Sequence, residues 1–130
     1  MPKVLVVTGS VRPNSVNRMV VEEVMNDLNT REGVEPRIAD LGALALPFFD
    51  SEVIPSGYGF HPAAENIQNW TQMVREASAV VLVTPEYNRT MSAVQKNALD
   101  WIYGVWQAKP VALIGYGWGR GEKAPATSRD

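Results

Sequence analysis

Five consecutive apolar residues, Ala79, Val80, Val81, Leu82 and Val83, run without alternation into the stretch TPEYNRTMSAVQKNALDW at 84–101. An unbroken aliphatic run of this length suits a strand buried on both faces, as strands in parallel sheets are. The residues after it change from turn formers to a helical pattern. A buried strand that empties into a polar loop and then a helix is one half of a βαβ unit. In open α/β sheets ligands sit at the carboxyl ends of such strands, so the loop after Val83 is the first place to seek a site.

The rest of the chain supplies the partners this unit needs. Lys3 to Val7 is a second branched apolar run, and Val111 to Ile114 is another, opened by Pro110. Glu35 to Ala39 is a weaker strand, expected nearer the sheet edge. After Ser15, a candidate N-cap, Met19, Val20, Val24 and Leu28 recur at helical spacing. Pro62 suits the first turn of a second helix, with Ala63, Ile67, Trp70, Val74 and Ala77 on one face. A third helix is expected over 91–106. Its Val94, Ala98, Leu99, Trp101, Ile102, Val105 and Trp106 cover roughly 160° of surface at about 100° per residue. That stripe suits either an interface between subunits or a core helix lying under the long segment 41–60. The latter carries Pro47, Pro55, Gly57 and Gly59 and reads as an irregular loop, functional or mobile. The order βαβ–loop–αβαβ implies one α/β domain over 1–121, a parallel sheet with right-handed crossovers, and a polar tail over 122–130.

Composition narrows the chemistry. The 130 residues contain no cysteine and one histidine, His61. Thiolate nucleophiles, disulfides, thiolate zinc sites and multi-histidine metal sites are therefore excluded, and no metal is expected. A net charge of -2 gives no electrostatic case for nucleic acid or an anionic membrane. No apolar run approaches the length of about 20 residues that spans a bilayer. These features suggest a reducing, cytoplasmic setting.

A parallel sheet delivers the loops that follow its strands to one edge. The first loop holds Gly9, Ser10, Arg12, Ser15 and Asn17 at a helix N-terminus, where hydroxyls, a guanidinium and free N–H groups suit a phosphate. It is neither a Walker A loop nor GxGxxG. A capped helix beside a solvated arginine is the plainer alternative. The second loop, Pro85, Glu86, Tyr87, Asn88, Arg89 and Thr90, offers a ring face and edge hydrogen bonds for a flat heteroaromatic ligand, or simply a turn that starts a helix. The third has glycines at 115, 117, 119 and 121, which let backbone approach a ligand closely. Phe48, Phe49, Tyr58 and Phe60 either close over the site as a lid or pack the long loop down.

Gly9, Ser10, Arg12, Ser15 and Asn17, taken with Thr84, Pro85, Glu86, Tyr87 and Asn88 and with Lys96, Asn97, Ala98, Asp100 and Trp101, resemble the NADPH-dependent FMN reductase family. That family is flavodoxin-like and includes quinone, azo-dye and chromate reductases. The resemblance runs from Lys3 to about Gly121. It implies a parallel sheet flanked by helices, here four strands in the order 2-1-3-4 with the usual fifth strand and last helix missing. It implies FMN as cofactor and NADPH or NADH as co-substrate. Ser10, Arg12, Ser15 and Asn17 would hold the FMN phosphate. Pro85, Glu86, Tyr87 and Asn88, with Thr90 nearby, would border the isoalloxazine, and backbone around Gly117 and Gly119 would meet its other edge. Arg12 and Arg89 are candidates for the extra phosphate of NADPH. Electrons would pass to a small-molecule acceptor such as a quinone, azo compound or free flavin. No catalytic side chain is expected, because the flavin carries the redox chemistry. Such proteins pair as homodimers or homotetramers, here through helix 91–106. A non-enzymatic flavin electron carrier is the alternative, and so is a truncated, inactive reductase.

Overall fold

The computed structural model describes residues 1–117. Four strands form one parallel sheet: β1 (Lys3–Val7), β2 (Glu35–Ala39), β3 (Ala79–Pro85) and β4 (Val111–Tyr116). Their order is β2-β1-β3-β4, the arrangement the resemblance implies. The central strands β1 and β3 are the unbroken aliphatic runs, and Val80, Val81, Leu82, Val83, Thr84 and Pro85 are all buried. Pairing extends β4 two residues beyond its aliphatic stretch, with Thr84 opposite Gly115 and Pro85 opposite Tyr116.

Helix α1 (Val16–Asn29) covers one face of the sheet, capped by Ser15 as expected. Its inward face differs from the sequence reading. Asn17 and Val21 are buried, Val20, Val24, Met25 and Leu28 pack behind them, and Met19 points outward at 66% exposure. A one-turn helix α2 (Leu41–Leu44) starts inside the expected loop, its N-cap Asp40 accepting from the N–H groups of Gly42 and Ala43. Helix α3 (Glu65–Glu76) covers the other face with Ile67, Trp70 and Val74. It begins three residues after Pro62, and Ala63 is exposed.

The third expected helix is shorter than its periodicity suggested. Helix α4 (Ala93–Asp100) starts at its N-cap Ser92 and stops at Trp101, and a single 3-10 turn follows at Gly104–Trp106. The apolar stripe is nevertheless buried, because Ala98, Trp101 and Ile102 join the main core and Val94, Leu99, Val105 and Trp106 pack against it. The core-helix alternative thus describes this face. Segment 45–60 lies over it, held by Asn97 and Trp101, both of which donate to the Pro47 carbonyl. Phe49 and Phe60 pack against Trp101, while Phe48 and Tyr58 are exposed. Only the first two therefore tie the loop down.

Lys109, just before β4, closes the far end of the fold. Its ammonium donates to the carbonyls of Val74, Arg75 and Ala77 at the end of α3, of which Val74 also accepts from the Ala77 N–H. Burial, and secondarily the nearby Arg75, hold its pKa below the usual lysine range. Lys109→Met removes all three bonds while keeping the apolar stem. It is expected to lower stability by about 2 kcal/mol, read by urea denaturation.

Candidate functional site

The carboxyl ends of β1 and β3 meet in a small buried polar clamp. Asn17 is 1% exposed. Its Oδ1 accepts from the Gly9 N–H at 3.0 Å, and its Nδ2 donates to the Val83 carbonyl at 3.1 Å. The buried Gln95 of α4 reaches the same point from the opposite face. Its Nε2 donates to both the Thr8 and the Val83 carbonyls at 3.3 Å. Facing two carbonyls fixes which end of this amide is the donor, and it leaves Oε1 buried without a hydrogen-bond partner among the described residues. Gly9 fits because it lacks a side chain: a Cβ there would lie 2.2 Å from the Val83 carbonyl oxygen.

This clamp presents the first loop to solvent. The Thr8 hydroxyl accepts from the Leu41 N–H, which ties the loop to α2. Ser10 Oγ accepts from the Arg12 N–H, and Ser15 Oγ accepts from the Asn17 N–H at the start of α1. Arg12 is exposed and no described carboxylate pairs with it. Ser10, Arg12 and Ser15 line an open cavity of about 580 Å³ with Asn14, Asn17, Arg18 and Asp40. A larger cleft of about 880 Å³, lined by Phe60, His61, Gln68, Arg75, Trp101 and Tyr103, contains none of the expected site residues.

The second loop is a two-residue hairpin. Tyr87 and Thr90 exchange both backbone hydrogen bonds, and Asn88 and Arg89 between them have φ of 50° and 66°. These are the dihedral signs of a type I′ turn, for which Asn-Gly is the favoured pair. Arg89 therefore holds a left-handed backbone without being glycine. Strain of this kind collects at functional loops. The Tyr87 hydroxyl donates to Ser10 Oγ at 3.2 Å, joining this loop to the first. Glu86 donates its N–H to the Tyr116 carbonyl at 2.9 Å, joining it to the end of β4.

Of the expected site residues, Ser10, Arg12, Ser15, Pro85, Glu86, Tyr87, Asn88, Thr90 and Gly117 surround this one edge of the sheet. Gly117 follows Tyr116, and a Cβ there would lie 3.1 Å from Glu86 Cβ. Gly119 lies outside the described residues, as does the tail 122–130. The Asn17 side chain serves the clamp, so its role toward a ligand is to hold the loop in shape. Sequence reasoning did not single out Gln95 or Tyr116. Tyr116 ends β4 on the α1 face, and its hydroxyl is buried without a hydrogen-bond partner among the described residues. Burial first, opposed by the facing Asn17 and Ser15, raises its pKa above the usual tyrosine value, so at neutral pH the phenol keeps its proton.

The donor set fits a flavin nucleotide's phosphate. Two seryl hydroxyls, a guanidinium that pairs with no described carboxylate, and a helix N-terminus border one cavity, with the buried Tyr116 phenol behind Asn17 and Ser15. The adjoining hairpin adds the Tyr87 ring, where a flat ring system would lie, on a backbone that the Glu86, Tyr87 and Thr90 N–H groups hold in place. Among the described residues no cluster of three His, Asp or Glu could hold a metal, and no helix is long and apolar enough to cross a membrane.

Comparison with known proteins points to relatives of one kind. A family model described as NADPH-dependent FMN reductase matches residues 2–128. An NAD(P)H-dependent FMN reductase of a Nectria species is 34% identical over 136 residues, covering 97% of this chain. A 2-hydroxy-1,4-benzoquinone reductase from a Burkholderia species is 32% identical and covers 87% of it. The chain spans 65% of the first relative's length and 59% of the second's. Among solved structures, the flavoenzyme NAD(P)H:(acceptor) oxidoreductase of Paracoccus denitrificans superposes with a TM-score of 0.69. It is 31% identical, over 88% of this chain and 60% of its own.

Proposed function

The chain belongs to the NADPH-dependent FMN reductase family, and from that premise we propose that it is an FMN-dependent NAD(P)H oxidoreductase. Its acceptors would be quinones, azo compounds, flavins or similar small molecules. Relatives named as benzoquinone and quinone reductases support the quinone class. The observation that carries the reading is the convergence of the phosphate-type loop with the Tyr87 hairpin, tied by the hydrogen bond from Tyr87 to Ser10.

In this reading Ser10, Arg12 and Ser15 hold the FMN phosphate, and Asn17 keeps their loop in register from beneath. Pro85, Glu86, Tyr87 and Asn88, with Thr90, border the isoalloxazine, and backbone at Gly117 and Gly119 meets its other edge. FMN bound there would supply the hydride-accepting and hydride-donating centre. The protein's own part is orientation, exclusion of water and N–H donation toward negative charge on the ring. None of this needs a side-chain acid or base, so no catalytic residue is named. Arg89, exposed on the strained turn, and Arg12 are placed to attract the phosphates of the nicotinamide dinucleotide. Reduced nicotinamide dinucleotides are intracellular reductants, so the proposal carries a cytoplasmic setting with it.

A homodimer or homotetramer through segment 91–106 remains part of the proposal. The stripe itself packs within the chain, so its exposed Tyr103 is the group left for a second copy.

Protein loaded with FMN and cleared of excess is expected to retain a flavin absorbance shifted from that of free FMN. Anaerobic NADPH is then expected to bleach it. Colourless protein would overturn the proposed FMN site. Bound flavin that NADPH and NADH both leave oxidised would favour an electron carrier instead.

A further inference from the structure

We propose that Tyr116 is an additional anchor for the flavin nucleotide's phosphate, its hydroxyl donating to a phosphate oxygen and so favouring FMN over riboflavin. The inference rests on the FMN reading above and adds to it a residue that the motifs do not contain.

Tyr116 is fixed from three sides. It pairs with Pro85 in the last register position of β3 and β4. Its carbonyl accepts from the Glu86 N–H. Its ring packs against the cluster of Val6, Val21, Val81 and Val83 beneath α1. That placement turns the phenol toward the start of α1, where Ser15, Asn17 and Arg12 lie, with Tyr87 beside them. Asn17 and Ser15 lie near enough to the Tyr116 hydroxyl to oppose the rise in its pKa, but neither meets it with the geometry of a good hydrogen bond, so it is buried without a well-formed partner among the described residues.

A buried hydroxyl without a partner loses its hydration for no return. Phenylalanine would fill the same apolar space without that loss, so packing explains the ring and leaves the oxygen unexplained. The surroundings indicate what it meets. Arg12, Ser15 and the N-terminus of α1 are donors or positive, and the phenol, kept protonated by burial, is a fourth donor. Asp40 and Glu22 border the same cavity, but Asp40 is spent capping α2, and the donors of Ser10, Arg12, Ser15 and Arg18 that converge there suit an anion. FMN carries such a group as its terminal phosphate, and riboflavin is the same molecule without it.

Tyr116→Phe tests the assignment with FMN and riboflavin titrated separately into wild type and variant, followed by quenching of flavin fluorescence. Losing one charge-assisted hydrogen bond is expected to weaken FMN binding about tenfold. Riboflavin affinity is expected to stay as in wild type. The melting temperature of the free variant is expected to equal or exceed that of wild type, since no bond within the chain is removed. Equal FMN affinity in the two proteins overturns the proposal while leaving the FMN reading intact. So does an equal loss for both flavins, which would make the ring position, not the hydroxyl, the cause. A clear drop in the free variant's melting temperature overturns it too, because the hydroxyl would then have a partner within the chain. If wild type binds neither flavin, the FMN reading itself fails and this proposal falls with it.

Discussion

Gly9→Ala is expected to destabilise the protein by roughly 3 kcal/mol and to abolish FMN retention. The added methyl would lie 2.2 Å from the Val83 carbonyl oxygen, 2.6 Å from Pro85 Cδ and 3.1 Å from Thr84 Cα. Two of those atoms are backbone and the third is a proline ring, so no flexible side chain can swing aside. The strands cannot separate cheaply either. β1 and β3 are the two central strands, and their ladder from Val4–Ala79 to Val7–Leu82 ends just below the clash. The Val83 carbonyl is also the acceptor shared by Asn17 and Gln95, so displacing it loosens both braces at once. Gly104→Ala is the control. A Cβ there meets nothing within 4 Å, and the change should stay within about 0.5 kcal/mol of wild type. Urea denaturation reads the stability, and flavin absorbance after desalting reads the site. A Gly9→Ala protein as stable as wild type would mean that the two strand ends are not pressed together.

The parts of the fold written in local patterns were legible in advance. The residues of β1 could be bounded because its branched apolar run ends at turn residues, and the weaker β2 has the bounds expected of it although it is no such run. The cap at Ser15 was legible because the side chain that caps a helix precedes its apolar spacing. Properties set by distant contacts were not. Met19 falls within the helical spacing of α1 but faces solvent, since the polar Asn17, two residues earlier and so roughly on the opposite side of the helix, takes the inward position to brace Gly9 and Val83. Sequence alone marks Asn17 as polar and therefore as a ligand contact. Only the approach of β3 reveals it as part of the scaffold. Gln95 and Tyr116 carried no signal for the same reason, because their significance lies in what they meet across the sheet. The one-turn helix α2 is too short to have a period, though Asp40 ahead of Leu41 and Gly42 was a capping signal that could have found it.

The apolar stripe after the second loop had two explanations, a subunit interface and a core face, and Trp101 separates them. Trp101→Ala is expected to cost about 4 kcal/mol, in the usual range for deleting a buried aromatic side chain. Trp101 is 3% exposed within the single chain. Its ring meets the edge of Phe49 at 4.9 Å and lies 6.4 Å from Phe60. Its Nε1 donates to the Pro47 carbonyl at 2.8 Å, and Asn97, one turn earlier, bonds the same carbonyl and also accepts from the Phe49 N–H. Removing the indole therefore empties core volume and releases segment 47–60 together. Typical domains have only 5–15 kcal/mol of stability, so the variant should also show faster proteolysis in that segment under native conditions. Asn97→Ala should raise the proteolysis rate at a smaller cost of about 2 kcal/mol, because it frees the loop without opening the core. The decisive comparison is denaturation at several protein concentrations. A Trp101→Ala penalty that is independent of concentration identifies the stripe as core. A penalty that grows with concentration, with the dilute variant close to wild type, would assign the stripe to an interface between copies and would reverse the reading of α4 given by this fold.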